Sequence, residues 1–378
     1  GGRKAPLMSA SRRPPSVRAA PRAPHCRPPP QMRARPFLLV ALFLPAIGAA
    51  LIPGGELPSD RKRLLKEVKI RSNSPARTAF ESVARSSDPS AFELACLIAA
   101  EETYPDVTHE EMRADLARCA AEITSDASTR LRLRRLFEEK ADTTSESQRL
   151  ASALSATIFG PSEMADVDAG MFKVSTPSDP RGALLHEVVA RRSGSAFTLS
   201  FIYMEAAALV GLPLQPLAAP GPPGHLLLVP RDEEEPSFAV DVFRRGRVFP
   251  LMPTLRRMYT QKPLTARDMT LRMLHSLRRG YGESMDAVRM IGTLDRLLVL
   301  YAIEEKSDSN DKNAAAREAE RRKCTRQLVE CILALRDVSR AAEAHQIIQS
   351  LLNDPSASAE ARRLEPLLAD PWLHEFAA

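Results

Sequence analysis

An apolar helix followed by short β-strands constrains the fold of this chain more than any other part of its sequence. Residues 195–210 are apolar on nearly every face, which is typical of a helix buried on several sides. Gly211 marks the end of the helix, and Pro213 lies just beyond it. Short runs with strand character follow at 214–217, 225–229 and 238–243. These elements predict an α+β core in which one buried helix packs on a small antiparallel sheet.

Helical patterns precede this core. Thr108 and Glu111 form a capping box at the start of one helix, and the helix before it stops ahead of Pro105. The helical pattern then continues, with one polar break, to the start of the core. We therefore expect a helical N-terminal unit over residues 88–160, preceded by a linker over 56–87.

Helical patterns also follow the core. Thr265 caps a helix that extends to about residue 279, and later helices are expected from 287 and over 313–337, 339–353 and 358–370. They resemble TPR-like helix-turn-helix pairs, although no clean repeat period is present. The α+β core is thus assigned to residues 161–260 and a TPR-like helical region to 261–378.

The first 55 residues have the composition of a targeting leader. Residues 1–55 contain nine Lys or Arg, eleven Pro and no Asp or Glu. The uncharged run 37–52 is interrupted by Pro45 and is shorter than the roughly 20 residues of a membrane-spanning helix. With basic residues before it and small residues at its end, this run has the form of a signal peptide, while residues 1–31 fit a transit peptide. We predict delivery to a plastid or other organelle, with the secretory pathway as the alternative and membrane contact only if 37–52 is retained.

The leader accounts for the formal net charge of +6, because the remaining residues carry 44 basic and 47 acidic side chains. Paired arginines are scattered among acidic residues, so no nucleic-acid partner is predicted. The histidines and cysteines show no CxxC or HExxH spacing, and neither a metal nor another cofactor is predicted. The cysteines that follow the leader are expected to be buried structural thiols; they are Cys96, Cys119, Cys324 and Cys331.

The start of the apolar helix and the strands after it look like the frame of a catalytic triad without its cysteine. Thiol enzymes place the nucleophile at the first turn of a buried helix, a histidine on a neighbouring strand and a carboxylate that orients this histidine. Here His225 begins the second strand and Asp241 lies in the third. The helix start offers Ser195 and Ala196 but no cysteine.

The order of these motifs resembles the SirB-type branch of the transglutaminase-like superfamily over about residues 88–355. The residues that carry the resemblance are Glu101-Glu102, Tyr104-Pro105, Gly194-Ser-Ala196, Gly211-Leu-Pro213, Pro223-Gly-His225, Asp241-Val-Phe243, Gly246 and Leu271-Arg-Met-Leu-His-Ser-Leu277. The resemblance implies a papain/transglutaminase-like core followed by TPR-like helices. Counted back from Gly211 as in active members, the cysteine position falls on Ala196. Ala196, His225 and Asp241 are then the vestigial positions of the triad.

Each polar residue of this site has a second interpretation. Ser195 is an alternative nucleophile, but a serine at a helix start is more often an N-cap. His225 and Asp241 could form a satisfied pair in the core instead of a binding site. Glu205, the single carboxylate on the apolar helix, is expected to pair with a nearby arginine.

The resemblance and the missing thiol imply a pseudoenzyme that acts as a protein-binding, peptide-binding or regulatory module. Its protein or peptide partner is not identified by the sequence. The alternative is a hydrolase or acyltransferase that uses His225 and Asp241 with a serine or water nucleophile.

Overall fold

A computed structural model describes most of the chain after residue 58. The described residues are 59–137, 145–160, 170–175, 179–219, 225–233, 236–251, 263–307, 314–354, 362, 364–369, 372–373 and 375. The predicted leader and its apolar run at 37–52 lie outside these ranges. Within them, no helix combines the length and the apolar character needed to cross a membrane.

Two helices occupy most of the stretch that was expected to be a linker. Helix α1 spans Ser59–Ser72 and α2 spans Pro75–Arg85. Ser74 caps α2, and Phe80 on its inner face is buried against the core. The linker prediction over 56–87 was therefore wrong for these helices. Because most of their residues are basic or polar, the narrow apolar face of each helix is not evident from the sequence. Such a face is enough to pack a helix on an existing core.

The helical unit before the core has the expected arrangement. Helix α3 spans Ala91–Thr103, α4 spans His109–Phe137 and α5 spans Glu146–Phe159. The capping box is confirmed, since Glu111 N donates to Thr108 Oγ1 at 3.2 Å and Thr108 N donates to Glu111 Oε2 at 2.8 Å. Two of the orphan N–H groups at the start of α4 are thereby satisfied.

The apolar helix of the core, α7, spans Ala196–Leu209. Its side chains are buried on several faces, as the sequence predicts. The residues buried along it are Ala196, Thr198, Leu199, Ser200, Phe201, Ile202, Tyr203, Ala206 and Ala207. Gly211 ends the helix with a φ of 76°, a left-handed conformation that glycine adopts without steric cost.

A four-stranded antiparallel sheet follows α7, with spatial order β3-β4-β5-β6. Strand β3 spans Leu214–Ala218, β4 spans Leu226–Pro230, β5 spans Phe238–Asp241 and β6 spans Arg247–Pro250. The first three confirm the predicted strands, except that the third ends at Asp241 because residues 242–244 turn into a 3-10 helix. Side chains on one face, such as Leu228 and Val240, join the main core, while Leu227 and Val229 form a second apolar cluster on the other.

A short connection leads into α7. Strands β1 (Lys173–Val174) and β2 (Ser193–Gly194) pair in parallel, and between them lie a 3-10 turn (Pro180–Ala183) and helix α6 (Leu185–Arg191). Ser195 N donates to Gly182 O at 2.8 Å, so the residue before α7 is tied to the turn as well. These elements fix where α7 begins.

The C-terminal helices pack in sequence order, α8 on α9, α9 on α10 and α10 on α11. Helix α8 spans Ala266–Glu283, α9 spans Ala287–Ser307, α10 spans Ala314–Leu335 and α11 spans Ala341–Asn353. Thr265 caps α8 in a complete capping box with Asp268. The α-helix expected over 358–370 is confirmed at Arg362 and Leu364, but Glu365–Ala369 forms a 3-10 helix instead.

One apolar core extends through the described body. It includes Val68 on α1, Leu199 on α7, Leu294 on α9 and Leu373 near the C-terminus. The helices that precede the sheet in the sequence and those that follow it therefore share one core with the α+β part.

Candidate functional site

The N-terminus of α7 presents a methyl group where a thiol nucleophile would be expected. Ala196 is the first residue of the helix and is 7% exposed. Its carbonyl accepts a hydrogen bond from Ser200 Oγ at 2.9 Å, which leaves this serine hydroxyl committed to the helix backbone. The side chain of Ala196 has no atom that can attack a substrate or exchange a proton.

Ser195 acts as the N-cap of α7. Its Oγ accepts a hydrogen bond from Thr198 N at 3.1 Å and lies 2.9 Å from Thr198 Oγ1. In the described structure Ser195 makes no hydrogen bond with His225. The geometry is that of a helix cap, and a base within hydrogen-bond reach of Ser195 Oγ is missing from the described residues.

His225 and Asp241 meet on neighbouring strands. His225 directly precedes β4 and Asp241 is the last residue of β5. Nε2 of His225 lies 3.0 Å from Asp241 Oδ1, and the two side chains are 17% and 6% exposed. The pairing orients the imidazole, and when Nε2 carries the proton Nδ1 is left as the acceptor.

Asp241 is held by the turn that follows it. Its Oδ1 also accepts a hydrogen bond from Arg244 N at 3.1 Å, and its Oδ2 lies 3.6 Å from Arg244 Nε. The carboxylate thus caps the 3-10 turn at 242–244 while it orients His225. This double role gives Asp241 a structural reason to be present that does not depend on catalysis.

An exposed aromatic ring borders the pair. Phe243 is 38% exposed, and its ring centroid lies 4.8 Å from that of His225 with the planes inclined by 55°. Helix α7 contacts both β4 and the turn that carries Phe243. The sequence did not single out Phe243 as a site residue, although its place two positions after Asp241 on the predicted strand offered a signal.

Glu205 lies apart from this pair, beside a cavity of about 480 Å³. The residues that line the cavity are Ser90, Phe92, Glu93, Arg113, Ala114, Ala117 and Glu205. Burial raises the pKa of Glu205, and the nearby Arg113 opposes this shift. The pairing expected for Glu205 is not found among the described residues, because its neighbour Arg113 forms its ion pair with Glu93 instead.

None of the four cysteines of the described body forms a disulfide; Cys96, Cys119 and Cys324 are buried as expected, while Cys331 is only partly buried. Burial raises the pKa of each of these three, which disfavours the thiolate that a nucleophile requires. Among the described residues, no group of three or more His, Cys, Asp or Glu side chains is arranged to hold a metal ion. None of these groups supplies the nucleophile that Ala196 lacks.

The fold and the site define a class: α+β proteins in which a buried helix packs on an antiparallel sheet that carries a His–Asp pair. Residues 110–278 match the family model described as Transglutaminase-like superfamily. The chain therefore contains a transglutaminase-like superfamily domain, from the first turn of α4 into α8. No curated protein and no solved structure matches the chain.

Proposed function

We propose that this protein is a non-catalytic, SirB-type member of the transglutaminase-like superfamily that binds a protein or peptide. The observation that carries the proposal is the helix start: Ala196 occupies the first position of α7, and the neighbouring Ser195 hydroxyl is bound as a cap. A covalent acyl transfer needs an activated nucleophile within reach of its base.

The features that remain favour recognition of a ligand. The imidazole of His225 is fixed by Asp241 and partly exposed, so it can donate or accept a hydrogen bond. Phe243 adds an exposed ring to the same surface. A polar group beside an exposed aromatic is typical of positions that dominate protein–peptide interfaces. The helices from α8 to α11 are proposed as TPR-like support for the same role.

Site-specific photocrosslinking tests this proposal on the full chain. A benzoylphenylalanine at position 243 replaces one aromatic by another, and the same probe at Val174, which is 41% exposed, is the control. We expect defined crosslinked partners from position 243, reduced by His225→Ala, and none in common from position 174. Crosslinks that do not differ between the two positions would contradict a binding site at His225.

A second candidate is a hydrolase or acyltransferase with a water or serine nucleophile. It is favoured by the 3.0 Å contact between His225 and Asp241, because an oriented histidine is the base such enzymes use. Hydrolysis of a panel of activated esters and amides should then depend on His225 and Asp241. If His225→Ala leaves every measured rate unchanged, this candidate fails and the binding role remains.

For the compartment, we propose delivery to a plastid or other organelle, with the secretory pathway as the alternative. The support is compositional: nine basic residues and no acidic ones in residues 1–55, with the uncharged run at 37–52. Mass spectrometry of the mature N-terminus tests it. A mature chain that begins after the apolar run indicates cleavage, while a chain that still contains residues 37–52 indicates a retained segment.

A further inference from the structure

A second cavity, of about 350 Å³, lies between α8 and α10 and shares no residue with the His225 site. Its lining residues are His275, Arg278 and Arg279 of α8 and Glu320 and Lys323 of α10. Three guanidinium or ammonium groups therefore face one carboxylate. The volume is within the range of small-ligand sites.

The negative charge of Glu320 is already compensated by basic side chains of the protein itself. Its Oε1 lies 2.6 Å from Arg278 Nη2, and its Oε2 lies 3.7 Å from Lys323 Nζ. Arg278 is fixed further by Cys324, whose Sγ lies 2.8 Å from Arg278 Nη1. Arg278 and Glu320 thus form an ion pair within the wall of the cavity, and the Arg278 side chain is only 11% exposed.

Two positive charges remain after this pairing. Arg279 is exposed, and its side chain makes no hydrogen bond or ion pair with any described residue. Lys323 has only the long contact with Glu320, and its side chain is 42% exposed. A guanidinium fork and an ammonium group on adjacent helices form a pair of donors that suits a multivalent oxyanion.

The histidine adds a neutral hydrogen-bonding group to this wall. His275 Nε2 lies 2.8 Å from Tyr301 OH on α9, which fixes the ring. Burial and then the charge of Arg278 lower the pKa of His275 to about 4, so the ring is uncharged near neutral pH. The neutral ring therefore adds no positive charge beside Arg279 and Lys323, and its Nδ1 is available for a hydrogen bond with a ligand.

We propose that the cavity between α8 and α10 binds a small multivalent oxyanion, held between Arg279 and Lys323. The ligand class comprises phosphate-bearing and polycarboxylate molecules, since both present the oxygens that these two side chains recognise. The site is independent of the His225 pair and of the function proposed for it.

Titration calorimetry of the full chain with inorganic pyrophosphate and, separately, with citrate tests the proposal at constant ionic strength. We expect at least one probe to bind the wild type and to lose about 10-fold or more in affinity in Arg279→Gln and in Lys323→Gln. Both side chains are exposed, so these variants should fold, which circular dichroism checks. Binding of pyrophosphate alone assigns a phosphate ligand, and binding of citrate alone assigns a carboxylate.

Arg247→Gln is the matched control, because Arg247 lies on β6, is also exposed, and has a side chain that makes no hydrogen bond or ion pair with a described residue. It should bind both probes as the wild type does. An equal loss in Arg247→Gln would indicate a general electrostatic effect and overturn the proposal. Absence of binding of both probes to the wild type would overturn it as well.

Discussion

Nη2 of Arg296 on α9 lies 2.5 Å from Oε2 of Glu101 on α3, and both side chains are only 2% exposed. Glu101 also receives two hydrogen bonds from Arg77 of α2, whose Nη1 in turn lies 2.6 Å from Asp295 of α9. The helices before and after the transglutaminase-like domain are therefore joined by buried charges. Arg340, ahead of α11, extends the network through Asp295.

Removal of one partner of this pair should destabilise the protein strongly. Glu101→Ala leaves Arg296 buried without its counterion, and we expect a loss of about 3–5 kcal/mol in the free energy of unfolding. Urea denaturation followed by circular dichroism measures it. The exposed pair of Arg85 and Glu81 is the control, since Glu81→Ala should cost about 1 kcal/mol or less.

A variant that replaces both Glu101 and Arg296 by apolar residues separates the effect of charge burial from that of packing. Because Nε and Nη1 of Arg296 have no hydrogen-bond partner among the described residues, Glu101→Leu with Arg296→Met should recover much of the lost stability. A double variant no more stable than Glu101→Ala would contradict this account.

Two left-handed glycines should respond differently to the same substitution. Gly246 has a φ of 72°, and a Cβ there would lie 2.5 Å from Phe159 Cδ2. Gly211 has a φ of 76° and open space around its Cβ position. We expect Gly211→Ala to cost about 1 kcal/mol from backbone strain alone and Gly246→Ala clearly more, measured by thermal unfolding. Equal costs would mean that Phe159 moves aside easily.

Introduction of a thiol at the helix start tests whether the catalytic frame survives. In Ala196→Cys, a histidine within reach should activate the new thiol and accelerate its alkylation by iodoacetamide at about pH 6 by roughly 10-fold or more over an unperturbed cysteine. Site-resolved mass spectrometry separates this thiol from the native ones. Ala208→Cys, at an exposed position of the same helix, is the control.

The same experiment with His225→Ala added identifies the base. The acceleration should disappear in this double variant and decrease with Asp241→Asn, which leaves the imidazole without its orienting carboxylate. A thiol at position 196 that reacts no faster than the one at position 208 would show that the frame has been lost.

Ser195 should behave as a cap in every assay. We expect Ser195→Ala to lower the free energy of unfolding by about 1 kcal/mol, because Thr198 N loses its acceptor. Labelling by fluorophosphonate probes should be absent from both wild type and variant. Labelling of the wild type that disappears in Ser195→Ala would instead favour the serine hydrolase.

The stability of the protein should fall as the pH drops from about 6.5 to about 4, in part through His275. The pKa of this group is lowered from 6.5 to about 4 by burial and then by Arg278, so the unfolded chain binds more protons within this window. The loss attributable to His275 is at most about 3 kcal/mol. Urea denaturation of the wild type and His275→Asn across this range should show a shallower pH dependence in the variant.

Some slope should remain, because burial also lowers the pKa of His186. A pH dependence that is identical in wild type and variant would exclude His275 as a contributor.

The core and its site were largely predictable because their signals are local. A helix apolar on all faces has few alternatives to burial, and Ser195 and Gly211 mark both of its ends. The order of helix and strands also placed His225 beside Asp241, because the start of the second strand lies next to the end of the third when these two strands pair antiparallel.

Other parts depend on contacts that sequence patterns do not reveal. The helices α1 and α2 are held by a core and by ion pairs from α3 and α9, far away in the chain. Strand β6 has a partly exposed pattern and is defined mainly by its pairing with β5. The position of Phe243 depends on the turn after Asp241, which shortens the predicted strand and brings the ring to His225.

The shared core also limits how this domain can be inherited. The matched region ends inside α8, and α8 packs against both α3 and α9, which lie outside it. A gene fragment cut at those limits would encode buried residues such as Met273 and Leu277 without part of the surface that covers them. Recombination could therefore transfer this domain to another protein only together with its flanking helices.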